Sequence, residues 1–281
     1  EIINYKSFTN SGKIERTFKN KGGFSELVNN GTFEFTSNGQ EKLSNDPSGI
    51  IINNDIIYLP VTNQGTFTNN KTISWKSGQD LITNSGTFNN TGTNASITGS
   101  AMQPRVINTG TFNNSKTITN LHINNNTPGI FDNSGSNASI TGNAVIIRNT
   151  GTFTNSKNIA VSETINSGTF TNKKTMETII KNDAPGIFDN SGSNAIITVR
   201  GGYTESDVAH VGNVHIMHNS GDISANVMNH KILNNYKRIS GLVNNKTAGT
   251  FNNVGTDAQV SRGLYNYGTA TNYGNIDFLD N

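Results

Sequence analysis

A short motif recurs along most of this chain. It has a glycine, then an aromatic residue two positions later, then an asparagine two positions after the aromatic residue. The asparagine keeps its place in every copy, including the copy in which alanine replaces the aromatic residue. The aromatic positions are Phe67, Phe88, Phe112, Phe131, Phe153, Phe170, Phe188 and Phe251, with Ala270 in the same slot. The first seven copies are spaced by about twenty residues, the length of one supersecondary repeat. The chain must therefore fold as an array of similar units.

The pattern inside each copy is that of short strands. Apolar residues stand two positions apart, or six apart across a turn as in Phe67 and Ile73, and never with the spacing of a helix. Thr, Ile, Val and Phe favour strands, while Asn-Gly, Ser-Gly and Thr-Gly pairs mark turns. Each copy therefore predicts two or three short strands joined by sharp bends.

A longer variant of the repeat is interleaved with the short one. It inserts three residues before the second apolar position, which we expect to lengthen a turn without moving the anchors. The long copies run from Gly86 to Ile97, Gly129 to Ile140, Gly186 to Ile197 and Gly249 to Val260. With weaker copies counted, about fourteen coils cover the chain. We predict one β-solenoid over 1–281, with less regular coils, a cap or an insertion at 1–40 and 200–218.

Stacking is required because one such unit has too few large apolar side chains to bury a core. Stacking copies at about 4.8 Å pairs the backbones in parallel ladders and aligns Phe on Phe and Ile on Ile. A crossover between parallel strands is right-handed by strong preference. The sequence thus predicts an all-β fold, a right-handed parallel β-helix.

The interior of this fold must contain asparagine, because only 32% of the residues are hydrophobic while 48 are Asn. The Asn two positions after each aromatic has the same parity as the aromatic, so we expect it to point inward and to bond its equivalents in the coils above and below. Another Asn recurs four positions before the aromatic, at Asn63, Asn84 and Asn108 among others.

Composition excludes several function classes. A net charge of +2 gives no electrostatic basis for binding nucleic acid, and the absence of cysteine removes disulfides and thiol chemistry. No apolar run reaches the length of a membrane-spanning helix. Glu1 to Lys6 do not resemble a signal peptide, so we expect either a processed protein or a fragment.

Two surface patterns are candidates for binding. Threonines flank the inward aromatic on both sides and predict an outward ladder, with Thr66, Thr68, Thr152, Thr154, Thr169 and Thr171 as its clearest members. Such faces occur in ice-binding solenoids, but here Asn89, Asn113, Asp132, Asp189 and Asn252 interrupt the ladder. Four positions after the aromatic, Lys71, Lys116, Lys157 and Lys174 form either solvated turn charges or an interrupted basic stripe for an acidic glycan.

Other residues carry weaker signals. Tyr265 and Tyr267 share parity and could stack on sugar rings, although filling the Phe column of the last coils is the favoured interpretation. Trp75 is expected in the core. The pair His215 and His218 has a spacing that some metal sites use, but no third ligand accompanies it. Asp132 and Asp189 are too many coils apart to act on one bond. We therefore assign no catalytic, cofactor-binding or metal-binding residue, and we expect no cofactor.

The repeats Asn149 to Ile159 (NTGTFTNSKNI) and Asn84 to Ile97 (NSGTFNNTGTNASI) resemble those of large bacterial surface proteins. These are autotransporter passengers and the filamentous-haemagglutinin-like exoproteins of two-partner secretion. The resemblance covers roughly Asn63 to Asn281 and implies a β-helical shaft exported to the cell surface or secreted. It includes neither a secretion-domain signature nor a translocator barrel, so we expect an excised shaft or a short solenoid.

The resemblance implies a non-enzymatic adhesin, a virulence-type protein that binds a host glycan or protein, or copies of itself, through its lateral Thr- and Asn-rich faces. Three alternatives stay open at this point. The chain could be a β-helical polysaccharide-degrading enzyme or depolymerase, a structural filament or coat subunit, or an ice-binding solenoid. No catalytic residue is implied by the resemblance, and neither nucleic acid nor a membrane-spanning segment is expected.

Overall fold

A computed structural model describes residues 1–22, 24–34, 41–74, 80–99, 105–192, 194–199 and 211–280. Within these ranges all regular structure is β-strand and every pairing is parallel. The strands stack as a β-solenoid of about 13 turns spaced by about 19 residues, which confirms the predicted fold class. The part of the chain that the structure describes holds no helix long and apolar enough to cross a membrane.

The chain divides into two compact units, Glu1–Val145 and Ile146–Asn281. The strands of the first unit are β1 (Ile2–Asn4), β2 (Ser7–Asn10), β3 (Lys13–Ile14), β4 (Phe18–Asn20), β5 (Glu26–Asn29), β6 (Thr32–Phe33), β7 (Leu43–Asn45), β8 (Ile50–Asn53), β9 (Ile56–Ile57), β10 (Val61–Asn63), β11 (Thr66–Asn69), β12 (Thr72–Ser74), β13 (Ile82–Asn84), β14 (Thr87–Asn90), β15 (Ser96–Thr98), β16 (Arg105–Asn108), β17 (Thr111–Asn114), β18 (Thr117–Thr119), β19 (His122–Asn125), β20 (Ile130–Asn133) and the beginning of β21 (Ser139–Asn149).

The second unit continues with β22 (Thr152–Asn155), β23 (Asn158–Asn166), β24 (Thr169–Asn172), β25 (Thr175–Asn182), β26 (Ile187–Asn190), β27 (Ile196–Thr198), β28 (Val211–Asn213), β29 (Ile216–Asn219), β30 (Asp222–Ser224), β31 (Val227–Asn229), β32 (Ile232–Asn235), β33 (Arg238–Ile239), β34 (Val243–Asn245), β35 (Thr250–Asn253), β36 (Gln259–Val260), β37 (Leu264–Asn266), β38 (Thr269–Asn272), β39 (Asn275–Ile276) and β40 (Leu279–Asp280). The strands of the weaker copies, such as β1 to β6 and β28 to β29, keep the parallel register.

Each coil contributes strands to three parallel sheets, which we name a, b and c in chain order. Sheet b holds the aromatic positions and consists of β2, β5, β8, β11, β14, β17 and β20 in the first unit, and of β22, β24, β26, β29, β32, β35 and β38 in the second. Sheet a precedes it, as in β10 and β13, and sheet c follows it, as in β12 and β15. The long strands β23 and β25 run from sheet c into sheet a of the next coil.

The predicted phenylalanine column is confirmed inside both units. In the first unit the rings of Phe67, Phe88, Phe112 and Phe131 are parallel, with centroids 4.7 Å apart at each step. In the second unit Phe153, Phe170 and Phe188 stack at 4.7 and 5.1 Å, and Met217, Leu233 and Phe251 extend the column. All of these side chains are fully buried. The ring spacing equals the strand spacing because each residue pairs with its equivalent one coil away.

The Asn after each aromatic also points inward, as predicted, and forms ladder b. In the first unit, each Nδ2 donates to the Oδ1 of the next ladder member at about 2.8 Å, as from Asn69 to Asn90. Ladder b comprises Asn10, Asn29, Asn53, Asn69, Asn90, Asn114 and Asn133 in the first unit, and Asn155, Asn172, Asn190, Asn219, Asn235, Asn253 and Asn272 in the second. Each amide of ladder b thus finds its hydrogen-bond partner in the equivalent Asn of the next coil.

A second ladder, ladder a, occupies the corner between sheets a and b. It comprises Asn4, Asn20, Asn45, Asn63, Asn84, Asn108 and Asn125 in the first unit, and Asn149, Asn166, Asn182, Asn213, Asn229, Asn245 and Asn266 in the second. Asn63 also donates to the carbonyl oxygens of Gly65 and Thr87, at 3.1 and 2.9 Å. Gly65 has no room for a side chain, because a Cβ there would overlap the carbonyl oxygen of Gly49.

Candidate functional site

The outer face of sheet b carries the predicted threonine ladder. We define this face as the two columns of residues that stand directly before and directly after the inward Phe column. Thr66, Thr152 and Thr169 lie in the first column and are exposed, whereas Thr68, Thr154 and Thr171 lie in the second and are half-buried. Their outward orientation follows from strand alternation around a buried neighbour.

Threonines from successive coils meet in this face. Thr66, Thr87 and Thr111 are aligned in consecutive strands of the first unit. In the second unit Thr152 pairs with Thr169, and Thr154 pairs with Thr171, so that four threonines form a square array. The spacing within the array is set by the strand separation of about 4.8 Å in one direction and by alternate residues along the strand in the other.

The column before the Phe column consists of β-branched residues from Ile50 onward. The interruptions noted in the sequence, such as Asn89 and Asp132, all lie in the column after the Phe column. From Ile50 onward every member is Thr or Ile, and Ile50, Ile130 and Ile187 remain 40%, 49% and 38% exposed. The members are Ile50, Thr66, Thr87, Thr111 and Ile130 in the first unit, and Thr152, Thr169, Ile187, Ile216, Ile232, Thr250 and Thr269 in the second. Each contributes outward methyl groups, so the column is a methyl strip, which the sequence analysis did not distinguish from the column after the Phe column.

The column after the Phe column is polar from Thr68 onward, and several of its members are hydrogen-bonded from coil to coil. Asn113 donates through Nδ2 to Oδ1 of Asn89 at 2.8 Å, and Asn252 donates to Asn234 at the same distance. The amide nitrogen of Asn234 also lies 3.0 Å from Nδ1 of His218. Asp132 and Asp189 bring the carboxylates of this column. Amide and hydroxyl groups of this kind offer both donors and acceptors to a partner.

The lysine column does not form a continuous basic stripe in the structure. Lys71 pairs with Asp55 at 2.5 Å, which neutralises it. Lys116 lies between coils whose longer turns contain Gly92 and Gly135. Lys157 and Lys174 occupy successive turns of the second unit, and of the four lysines only Lys71 and Lys174 are exposed. The arrangement corresponds to separate charges at the corner between sheets b and c.

Tyr265 and Tyr267 do not fill the Phe column, so that prediction is wrong. Tyr265 has outward parity beside the buried Leu264 in sheet a, and its ring meets Phe278 edge-on with centroids 6.1 Å apart. Tyr267 lies in the following turn, 62% exposed, with the Lys246 Nζ 5.9 Å from its ring centroid. Ala270, which is exposed, takes the position of the Phe column in this coil and pairs with Phe251. The two rings have different neighbours and do not build one shared platform.

The remaining candidate residues do not converge on one site in the part of the chain that the structure describes. Nδ1 of His215 is 3.3 Å from the carbonyl oxygen of Gly186, whereas His218 contacts Asn234 on the outer face of sheet b. Among the described residues, no three His, Cys, Asp or Glu side chains are grouped so that they could hold a metal ion. Trp75, Tyr203 and His210 fall outside the described residues.

Comparison with models of known protein families gives no match, and no curated protein or solved structure matches the chain significantly.

Proposed function

We propose that this chain is part of a non-enzymatic, adhesive β-solenoid that is secreted or displayed on the bacterial surface and that associates side by side with copies of itself. The outer face of sheet b is the proposed contact surface. The observation that carries the proposal is the methyl strip, which starts at Ile50 and recurs in each unit beside a column that is polar from Thr68 onward. The resemblance of the repeats to those of bacterial surface proteins supports the location.

Sheet-to-sheet packing is the physical basis of the proposed contact. Two β-sheets pack face to face about 10 Å apart when small and β-branched side chains interdigitate. The methyl groups of Thr66, Thr87 and Thr111, or of Thr152 and Thr169, present such a surface at the strand spacing. Each buried methyl group contributes about 0.8 kcal/mol, so contact over several coils is needed to offset the loss of rigid-body freedom.

Matching periodicity favours a second copy as the partner. Both surfaces of a homotypic contact repeat at the same strand spacing, so every coil in register meets an equivalent coil. Charge opposes the contact only weakly, because from Ile50 onward the two columns contain one carboxylate in each unit, Asp132 and Asp189. An acidic glycan is less well matched, since Lys71 is already paired with Asp55 and the lysine column is interrupted.

Sedimentation velocity over a hundredfold concentration range tests the proposal. We expect the wild-type chain to form larger species as concentration rises. Thr66→Lys, and Thr169→Lys in the other unit, place a charge on the exposed methyl strip and should weaken association by tenfold or more. Thr117→Lys is the matched control, because Thr117 is an exposed outward residue that directly precedes a buried Ile in sheet c. A wild-type chain that stays monomeric, or equal effects of Thr66→Lys and Thr117→Lys, would contradict self-association through this face.

The non-enzymatic part of the proposal has its own test. The chain is incubated with a panel of polysaccharides, and new reducing ends or unsaturated products are measured. We expect no turnover. Product formation by the purified chain would overturn this part of the proposal while leaving the self-association experiment unaffected.

A further inference from the structure

A groove opens at the corner between sheets b and c of the second unit, well separated in sequence from the threonine array. It has a volume of about 650 Å³ and is lined by Asp222, Tyr236, Lys237, Arg238, Asp257 and Gln259. We name this groove the notch. Its volume lies within the range of small-molecule and cofactor sites in proteins, about 300–1,000 Å³.

The notch arises from the alternation of short and long turns. Two residues connect β29 to β30 and β32 to β33, whereas five connect β35 to β36. Asp257 of the longer turn and Tyr236 and Lys237 of a short turn line the notch together. The residues aligned with Lys237 in the neighbouring coils are Gly221 and Ala258, so only small residues flank the lysine stem. The depression is therefore built into the repeat pattern.

The floor of the notch is a column of planar polar groups. Asp222, Arg238 and Gln259 are aligned in three consecutive strands of sheet c, so a carboxylate, a guanidinium and an amide follow one another at about 4.8 Å. The Arg238 Nε lies 3.5 Å from one Asp222 oxygen, and the Lys237 Nζ lies 3.6 Å from the other. Together these groups offer several donors and acceptors to a ligand.

An aromatic ring stands beside this polar floor. Tyr236 is 42% exposed, although it belongs to a coil whose inward residues Leu233 and Asn235 are fully buried. Its position directly follows ladder b, where the neighbouring coil has the small residue Ser220. A tyrosine in this setting presents one apolar ring face and one polar hydroxyl group.

From this arrangement we infer that the notch is a binding site for a neutral oligosaccharide. A sugar ring has an apolar face that suits Tyr236, and its vicinal hydroxyl groups suit Asp222, Arg238 and Gln259, which accept, donate or do both. The two carboxylates balance the two cations, and both cations face Asp222, so the lining does not select a charged ligand. The inference is independent of self-association, because the outer face of sheet b contributes no residue to the lining.

Ligand-observed saturation-transfer NMR on the full chain tests the inference. The neutral probes are maltohexaose, cellohexaose, laminarihexaose, xylohexaose and mannohexaose, and a galacturonate hexamer and a chitosan hexamer are the charged comparators. We expect at least one neutral probe to bind with a dissociation constant of about 1 mM, more tightly than either charged hexamer. Tyr236→Ala should weaken binding by about tenfold, and Gln259→Ala should weaken it by several-fold.

Tyr267→Ala is the matched control, because Tyr267 is an exposed tyrosine of the same unit outside the notch. It should change the dissociation constant by less than about twofold. Thr169→Lys should likewise leave binding intact, which separates this site from the self-association surface. The inference is overturned if no neutral probe binds, if a charged hexamer binds more tightly, or if Tyr236→Ala and Tyr267→Ala have equal effects.

Discussion

The side-chain amide of Asn63 donates from Nδ2 to Oδ1 of Asn84 at 2.7 Å, and neither residue is accessible to solvent. The same bond recurs between successive members of both ladders within each unit, always with the donor in the earlier coil. An interior this polar is stable because translation by one coil supplies the partner that each buried amide needs.

Substitution of a ladder residue should therefore destabilise the fold far more than substitution of an exposed Asn. Asn84 donates to Asn108 and to the carbonyl oxygens of Gly86 and Thr111. Asn84→Ala removes these bonds and leaves an amide oxygen of the ladder unpaired, which we expect to lower the free energy of unfolding by about 2–3 kcal/mol. Urea denaturation followed by circular dichroism measures the change.

Asn70→Ala is the control for this prediction. Asn70 donates to Asn54 at 2.8 Å at the surface, where water can replace the lost bond. We expect a change below about 0.5 kcal/mol. Equal destabilisation by Asn84→Ala and Asn70→Ala would show that the interior amide ladder is not a special source of stability.

The glycine at the corner after ladder a should be intolerant of any side chain. A Cβ on Gly168 would overlap the carbonyl oxygen of Gly151 in the coil below, so Gly168→Ala must move backbone and should cost about 1–3 kcal/mol. At Gly212 the nearest atom to an added Cβ is the Ile180 carbonyl oxygen at 3.8 Å, an ordinary contact. Gly212→Ala should leave the thermal midpoint unchanged or raise it; a loss as large as that of Gly168→Ala would contradict the corner argument.

Glu15 should titrate at a lower pH than an isolated glutamate. A hydrogen bond from Lys13, whose Nζ lies 2.5 Å from the carboxylate, lowers the pKa of Glu15. Hydrogen bonds to Glu15 and Glu34 in turn raise the pKa of Lys13 to about 12. Because the folded pKa of Glu15 is depressed, its contribution to stability is present above the unfolded pKa and is lost as pH falls through the folded pKa. The carboxyl carbon shift in NMR follows this titration.

Lys13→Met provides the comparison for Glu15. Without the ammonium group the carboxyl of Glu15 should return toward its ordinary pKa, since the hydrogen bond and the charge of Lys13 are the two largest causes of the shift. An unchanged titration midpoint in Lys13→Met would assign the shift to another group.

The fold could be predicted from the sequence because its determinants are local and repeated. The Gly-Thr-Phe anchor fixed the register of Phe67 on Phe88, and the parity of Asn69 placed ladder b in the interior. Ladder a was visible as a recurring Asn, but a turn separates it from the aromatic, so parity did not define its direction. Its role follows from the corner geometry of Asn63 and Gly65.

The surface sites were harder to predict because they depend on which side chains the stacking brings together. Thr66 and Thr169 could be placed outward, yet the methyl strip appears only when Ile130 and Ile187 are aligned with the threonines. Tyr265 was misplaced because it belongs to sheet a, where its strand partner is Asn244 and the adjacent Leu264 takes the buried position. The notch had a signal in the sequence: two short repeats lie between the long copies beginning at Gly186 and Gly249.

Intermolecular cross-linking tests the proposed side-by-side association most directly, since the chain has no cysteine of its own. Thr169→Cys and, as the control in sheet c, Thr117→Cys are each treated with a bismaleimide whose span of about 10 Å matches the distance between packed sheets. We predict covalent dimers in high yield for Thr169→Cys, with a yield that falls when the reaction is run at lower protein concentration, and few for Thr117→Cys. Equal yields for the two variants, or no dimer with either, would contradict association through the outer face of sheet b.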